Sequence, residues 1–78
     1  MMKYKMYMVC WLKNGIVDRV IKTTLSKVVA ELRFCDEASK RGFLPAIADY
    51  CVESGNFPYI LEGMDGEVLQ LMEWEEYI

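Results

Sequence analysis

Strict alternation of side chains marks the first strand of this chain. The set Tyr4, Met6, Met8, Cys10 and Leu12 alternates with the set Lys5, Tyr7, Val9, Trp11 and Lys13, and this period of two is that of a β-strand. Asn14-Gly15 then supplies two residues that tolerate positive φ, as a type I′ turn requires, and a β-branched pattern resumes over residues 16–23. The pattern therefore predicts a β-hairpin.

The two-residue loop also predicts the register and the faces of this hairpin. Lys13 then pairs with Ile16, and further along the expected pairs are Leu12 with Val17, Cys10 with Arg19 and Met8 with Ile21. One face is apolar except for Arg19 near the turn and is the expected core side: Tyr4, Met6, Met8, Cys10, Leu12, Val17 and Ile21. The other face is expected to point outward: Lys3, Lys5, Tyr7, Val9, Trp11, Lys13, Asp18, Val20 and Lys22.

Helical spacing replaces the strand pattern from residue 25 onward. Apolar residues there recur every three or four positions, which predicts an amphipathic helix over residues 25–41 with Thr24 as its N-cap. Gly42 suits a left-handed C-terminal cap. Pro45 fits the first turn of a second, shorter helix that Gly55 ends.

The last third of the chain predicts a second hairpin. Tyr59-Ile60-Leu61 indicates a strand, Asp65-Gly66 a turn, and residues 67–74 a returning strand. Helical spacing also fits this last segment, but we favour the strand over the helix. The order ββααββ predicts a small α+β fold, a single domain over residues 1–78 whose antiparallel sheet is covered on one face by helices.

The amino-acid composition limits the kinds of function that this chain can have. The 78 residues are 54% hydrophobic and include no histidine, so the commonest general base and the commonest zinc ligand are both missing. No phosphate-binding or dinucleotide-binding glycine motif occurs. We therefore expect a protein that is not an enzyme and that uses no cofactor and no metal.

Location is inferred from the cysteines and from the longest apolar run. Three cysteines, an odd number with no Cys-x-x-Cys pair, favour free thiols in a reducing compartment. The longest apolar run covers residues 6–12, far short of the roughly 18 that a transmembrane helix needs. The expected location is cytoplasmic, with no membrane partner.

Charge is distributed unevenly along the chain. All nine basic residues lie within residues 1–41, together with four acidic ones, which gives this part a net charge of +5. Residues 42–78 contain eight acidic residues and no basic one, and the whole chain carries −3. The two parts either pair with each other in the fold or present their charge to solvent, and the sequence leaves both alternatives open.

The acidic, aromatic C-terminal part is the leading candidate for a binding site. Acidic charge steers encounters with basic surfaces, and aromatic side chains anchor protein interfaces. We therefore predict a larger protein with a basic surface as the partner. The predicted contact residues are Glu62, Asp65, Glu67, Glu73, Trp74, Glu75, Glu76 and Tyr77.

Two other kinds of partner fit the same sequence. Aromatic rings between cations are what a single-stranded nucleic-acid site needs, and the outward face of the first hairpin is predicted to provide them. The residues of this alternative site are Lys3, Lys5, Tyr7, Trp11, Lys13 and Lys22. The third possibility is a homo-oligomer in which the basic part of one copy meets the acidic part of another.

The motif Trp11-Leu12-Lys13-Asn14, followed by a strand and then a helix, resembles the opening of the Dmd family of small phage antitoxins. That family consists of compact α/β proteins that bind and inhibit host RNase toxins. The resemblance covers the first hairpin and does not extend to residues 45–55 or to the acidic C-terminal hairpin. It implies a phage-type, anti-defence inhibitor of a host defence or nucleic-acid enzyme that acts by protein-protein interaction.

Overall fold

The computed structural model describes residues 1–78 and has the predicted element order. The elements are β1 (Lys3–Lys13), β2 (Ile16–Thr24), α1 (Lys27–Lys40), α2 (Pro45–Ser54), β3 (Tyr59–Glu62) and β4 (Glu67–Tyr77). The strands form one antiparallel sheet in the order β2-β1-β4-β3, and both helices pack on the same side of it. The α+β prediction is confirmed, as is the choice of strand for β4. Neither helix is long and apolar enough to cross a membrane.

Both hairpins turn through two residues with positive φ, and the two turns lie against each other. Asn14 and Gly15 have φ of 53° and 79°, and Asp65 and Gly66 have φ of 56° and 74°. The backbone N–H of Asn14 donates to the carbonyl of Gly66 at 3.0 Å. A Cβ at Gly66 would lie 2.5 Å from Asn14 Oδ1, so both its φ and its neighbour favour glycine there.

Helix α1 begins two residues later than predicted. Its N-cap is Ser26, whose Oγ accepts a hydrogen bond from the backbone N–H of Val29 at 3.2 Å. Thr24, the predicted cap, is still part of β2 and pairs with Tyr7, so its backbone belongs to the sheet. Helix α2 begins at Pro45 as predicted and ends before Gly55, which has a φ of 66°.

The predicted register of the first hairpin holds next to the turn and then shifts twice. Relative to β1, strand β2 contains one extra residue at Asp18 and another at Ile21. As a result Cys10 lies opposite Val20 and Met8 lies opposite Thr23, one and two positions beyond their predicted partners. The prediction of these two pairs was wrong because side-chain alternation alone does not reveal a bulge.

The predicted core face of the first hairpin was also wrong. Tyr7 and Trp11 are 5% and 6% exposed, and Val9 between them is fully buried beneath the helices. The core consists of Tyr7, Val9, Trp11, Ala30, Phe34, Ala38, Ala48, Tyr59, Leu61, Leu69 and Leu71.

The neighbouring strand β4 explains why the helices cover this face of β1 and not the other. The buried face of β1 continues onto β4 as Leu69 and Leu71, whereas the opposite face meets the amide of Gln70 at its centre. Burying that amide under a helix would require hydrogen-bond partners that an apolar helix surface does not offer. The helices therefore cover the face that is apolar on both strands.

Four aromatic rings form the centre of the core around Tyr59. Its ring stacks on Phe57 with centroids 4.3 Å apart and meets the edge of Phe34 at 5.8 Å. Tyr7 approaches Phe57 at 5.7 Å. The hydroxyl of Tyr59 donates to Glu31 Oε2 at 2.7 Å, so the one polar atom of this buried side chain is satisfied.

Stability should fall as the pH rises above about 10, the ordinary pKa of tyrosine. Burial raises the pKa of Tyr59 above its ordinary value, and its hydrogen bond to Glu31 adds to the shift. Burial likewise raises the pKa of Tyr7. The folded chain thus keeps protons that the unfolded chain loses, and each such proton costs about 1.4 kcal/mol of unfolding free energy per pH unit.

Urea unfolding at pH 8, 10 and 11 measures this dependence, with Tyr59→Phe as the control. The variant lacks one of the two tyrosine protons that the folded chain retains, while Cys10 and Cys35, whose pKa burial also raises, are the same in both proteins, so its stability should fall less steeply above pH 10 than that of the parent. Equal slopes for the two proteins would show that Tyr59 ionises as readily in the folded chain as in the unfolded one.

Candidate functional site

The face of the sheet opposite the helices has no layer of protein over it. Because directly paired residues of neighbouring strands share a face, the register identifies its members. We call this set the open face: Tyr4, Met6, Met8, Cys10, Leu12, Val17, Val20, Thr23, Ile60, Glu62, Val68, Gln70, Met72, Trp74 and Glu76.

The open face is apolar at its centre and acidic at its ends. Its only charged members are Glu62, opposite Val68, and Glu76, opposite Tyr4. No lysine or arginine occupies any of its paired positions. Side chains of this face shield one another only partly, and Cys10 is its one fully buried member.

The size of this largely apolar surface is at the upper end of what free monomers expose. Two of its strands are 11 residues long, and strands lie about 4.8 Å apart and rise about 3.3 Å per residue. The face thus extends over an area on the order of 500 Å², as large as the largest apolar patches of typical monomers, which often bind something. The open face is therefore the candidate binding surface.

Trp74 is the aromatic member of this surface on β4. It lies opposite Met6, and its indole Nε1 donates to Glu76 Oε1 at 2.7 Å. The ring is half-exposed, so its apolar part faces solvent while its one donor is satisfied within the chain. Such a side chain can bury its ring against a partner without leaving a polar atom unpaired.

The eight predicted contact residues do not form one surface. Glu62, Trp74 and Glu76 lie on the open face. Glu73, Glu75 and Tyr77 lie on the opposite side of β4, which is the helix side. Asp65 lies in the β3–β4 turn, and Glu67 accepts a hydrogen bond from the indole Nε1 of Trp11 at 3.2 Å.

Some of the basic and acidic charges pair within the chain. Lys3 Nζ lies 3.8 Å from Glu75 Oε2, and Lys5 Nζ lies 3.7 Å from Glu73 Oε1, across β1 and β4. These pairs are partly exposed and so contribute little to stability. They do occupy the lysines that a charge-paired homo-oligomer would have used, which weakens the case for that assembly.

The predicted basic and aromatic nucleic-acid face is not an outward surface. Tyr7 and Trp11 lie in the core, and the guanidinium of Arg41 covers the ring of Trp11 at 3.9 Å from its centroid. Neither ring is therefore free to stack on a base. Lys13 and Lys22 are exposed, but they stand at separate places on the helix side, and the one ring between them, that of Trp11, is buried.

A groove of about 710 Å³ lies beside Trp11 at the end of the sheet that carries the turns. It brings Lys40 and Arg41 of the helical side close to Glu62 and Glu67 of the second hairpin. Arg41 Nε already lies 3.6 Å from Glu37 Oε2. Because two basic and two acidic side chains line it, the groove carries no net charge that would favour an anion or a cation.

The three cysteines are free, and two of them have a raised pKa, which favours the protonated thiol. Burial raises the pKa of Cys10, and burial, with Asp49 nearby, raises the pKa of Cys35. A raised pKa leaves less thiolate, the form that acts as nucleophile. The arrangement therefore favours a packing role for these thiols.

From the sequence alone the methionines fit either a core or an adaptable contact surface, and the core is favoured, so none of them is among the predicted site residues. Met6, Met8 and Met72 lie next to one another on the open face, where their flexible thioether side chains can adapt to a partner. The repetition of Met6 and Met8 along one face of β1 was the available signal, but it equally fits a core.

Comparison with protein-family models, curated protein sequences and solved structures finds no match to this chain.

Proposed function

We propose that this protein is a small acidic binding protein that occludes a basic functional surface of a larger protein with its open face. The observation that carries the proposal is an uncovered apolar sheet face with Glu62 and Glu76 at its ends and no basic residue at its paired positions. Apolar burial supplies affinity in such an interface, and the acidic ends select a partner with basic ones.

The overall charge of the chain also favours a partner with a basic surface. The chain carries −3, and its acidic residues are concentrated in residues 42–78, which include β3 and β4. A field of this sign raises the rate of encounter with positively charged surfaces and lowers it for nucleic acid. Inhibition by covering a surface needs neither a catalytic group nor a cofactor.

The class of partner follows from two considerations. Enzymes that act on nucleic acids keep a basic surface for phosphate groups, so they offer what the acidic ends of the open face would select. The resemblance of the first hairpin to the Dmd family adds bacterial defence enzymes, RNases among them. We therefore propose a host nuclease or another nucleic-acid enzyme as the first class to test, in the cytoplasm of a phage-infected bacterium.

The test is affinity capture from a nuclease-treated bacterial lysate with three forms of the protein. Met8→Lys places a charge in the middle of the open face, while Val28→Lys makes the same change of charge on α1 at a side chain that is 63% exposed. We expect the parent and Val28→Lys to capture one protein in stoichiometric amount. We expect Met8→Lys to capture at least tenfold less, because a lysine there must be desolvated to bind.

Activity of the captured protein provides the second readout. Purified and assayed on its nucleic-acid substrate, it should be inhibited by the parent and by Val28→Lys at a one-to-one ratio, and not by Met8→Lys. Equal capture by all three forms would exclude the open face as the contact. Capture that disappears on nuclease treatment would show binding through nucleic acid instead.

A further inference from the structure

Strand β4 has a free edge along its C-terminal half. β4 pairs with β1 along its whole length, from Glu67 to Tyr77, but β3 covers only residues 68–71 of its other side. No strand of the chain lies beside residues 72–77 on that side. This segment therefore offers one open row of backbone groups.

Three hydrogen bonds establish which residues direct their backbone groups to the free edge. Ile78 N–H donates to Met2 at 2.8 Å and Gly66 accepts from Asn14, so even-numbered residues of β4 face β1. Gly63 N–H donates to the carbonyl of Glu67 at 2.7 Å, so odd-numbered residues face β3. By the alternation of an antiparallel ladder, the three residues that face the free edge are Glu73, Glu75 and Tyr77.

The groups of these three residues are unpaired, and their spacing is regular. No backbone hydrogen bond outside the helices and the sheet ladders involves them. The β1–β4 ladder runs without a register shift, whereas the other edge strand, β2, is interrupted by two bulges. Bulges protect an edge against pairing, so the C-terminal half of β4 is the better template for an added strand.

We propose that this free edge of β4 binds an extended basic segment of the partner as an added antiparallel strand, continuing the line of β3. The inference rests on the proposed function, since it describes how the acidic protein holds its basic partner. Backbone hydrogen bonds to Glu73, Glu75 and Tyr77 supply affinity, and the side chains on either side of the strand supply specificity.

The chemistry of the added strand follows from the two faces of β4. Glu73 and Glu75 point to the helix side, whereas Trp74 points to the open face. A matching strand alternates lysine or arginine on the first side with apolar residues on the second. Each carboxylate contacts a lysine of β1 on one side, and its remaining acceptor sites are available to a cation on the other.

A second copy of this chain is a poor occupant of the edge. If two β4 strands paired antiparallel about a two-fold axis, Glu73 and Glu75 of one copy would lie beside the same carboxylates of the other. Like charges opposite each other destabilise a strand pair. The acidic edge therefore disfavours self-association and favours a basic strand from a different protein.

The probe for this site is the blocked hexapeptide Lys-Val-Lys-Val-Lys-Val, tested by NMR with isotope-labelled protein. We expect the amides of Glu73, Glu75 and Tyr77 to exchange with solvent at least tenfold more slowly when the peptide is bound. In antiparallel pairing the lysines lie opposite the glutamates, so their own N–H groups face β4. N-methylation of the lysine nitrogens should weaken binding at least tenfold, whereas N-methylation of the valine nitrogens should not.

Two variants of Glu75 distinguish the contribution of the backbone hydrogen bond to peptide binding from that of the side-chain charge. Glu75→Pro removes an N–H that faces the free edge and leaves the β1 ladder intact, which an edge strand tolerates. Glu75→Gln removes the same charge but keeps the N–H. We expect Glu75→Pro to bind the peptide at least tenfold more weakly than Glu75→Gln, with circular dichroism confirming that both are folded.

Several results would overturn strand addition. They are unprotected amides at millimolar peptide, equal effects of the two N-methylated peptides, and equal binding by the two Glu75 variants. Capture experiments keep this failure distinct from failure of the proposed function. A partner that Glu75→Pro captures normally and Met8→Lys does not would leave the open-face proposal standing and remove the added strand.

Discussion

Replacement of Val9 by aspartate should leave the chain unfolded at 25 °C. Val9 is fully buried beneath the helices, between Tyr7 and Trp11 on the same strand. A carboxylate there would be desolvated beneath the helices, and Lys22, its exposed neighbour across the strand pair, would itself have to be buried to pair with it, so the substitution costs about 4 kcal/mol or more. A domain of 78 residues has a stability near the low end of the usual 5–15 kcal/mol.

Met8→Asp is the matched control, because the neighbouring residue points to the opposite face. Met8 is half-exposed on the open face, where solvent reaches the new carboxylate, so we expect a folded protein that has lost about 1 kcal/mol. Far-UV circular dichroism and urea unfolding of both variants measure the difference. If Met8→Asp unfolded and Val9→Asp did not, the core would lie on the other side of the sheet.

Truncation of Phe34 to alanine should lower the free energy of unfolding by about 3–5 kcal/mol. Phe34 projects from α1, is fully buried, and packs the edge of its ring against Tyr59. Its removal loses the burial of the ring and leaves a cavity that Tyr59 and Phe57, stacked on each other, cannot fill without breaking their own contact. Urea denaturation monitored by circular dichroism gives the loss directly.

Leu32→Ala provides the comparison within the same helix. Leu32 is 66% exposed, so its truncation removes little buried surface and alanine improves helix propensity slightly. We expect a change of at most about 0.5 kcal/mol. Similar losses for the two variants would indicate that a different face of α1 packs on the sheet, or that the outward face of α1 is itself covered in solution.

Local features of the sequence determined the elements and their order. Asn14-Gly15 and Asp65-Gly66 specify two-residue turns because their positive φ values suit few other residues, and both turns form as predicted. Pro45 and Gly55 bound α2 for equally local reasons. Alternation along β1 also assigned correctly which of its residues share a face. Each of these predictions depends only on neighbours within a few positions along the chain.

Features that depend on distant partners were missed or misjudged. By its local sequence Thr24 suits a helix cap, but its pairing with Tyr7 makes it part of β2. The bulges at Asp18 and Ile21 are likewise defined only by the register between β2 and β1. The charge pairs between Lys3 and Glu75 and between Lys5 and Glu73 likewise required the β1–β4 pairing. No local pattern contains this information, because the partner lies on another strand.

The choice of core face shows most clearly what tertiary structure decided. Both faces of β1 are apolar enough to bury, so its own sequence could not select one. The selection came from β4, which offers Leu69 and Leu71 on one side and Gln70 on the other, and from small helix residues such as Ala30 that let the layers approach.

The candidate site is a consequence of that choice and of strand length. By itself the sequence determined a ββααββ chain with an acidic C-terminal part. Only the tertiary structure decided that the methionine-rich face stays open, because both helices pack on the other side of the sheet. It also decided that Glu73, Glu75 and Tyr77 face a free edge, because β3 has four residues and β4 has 11.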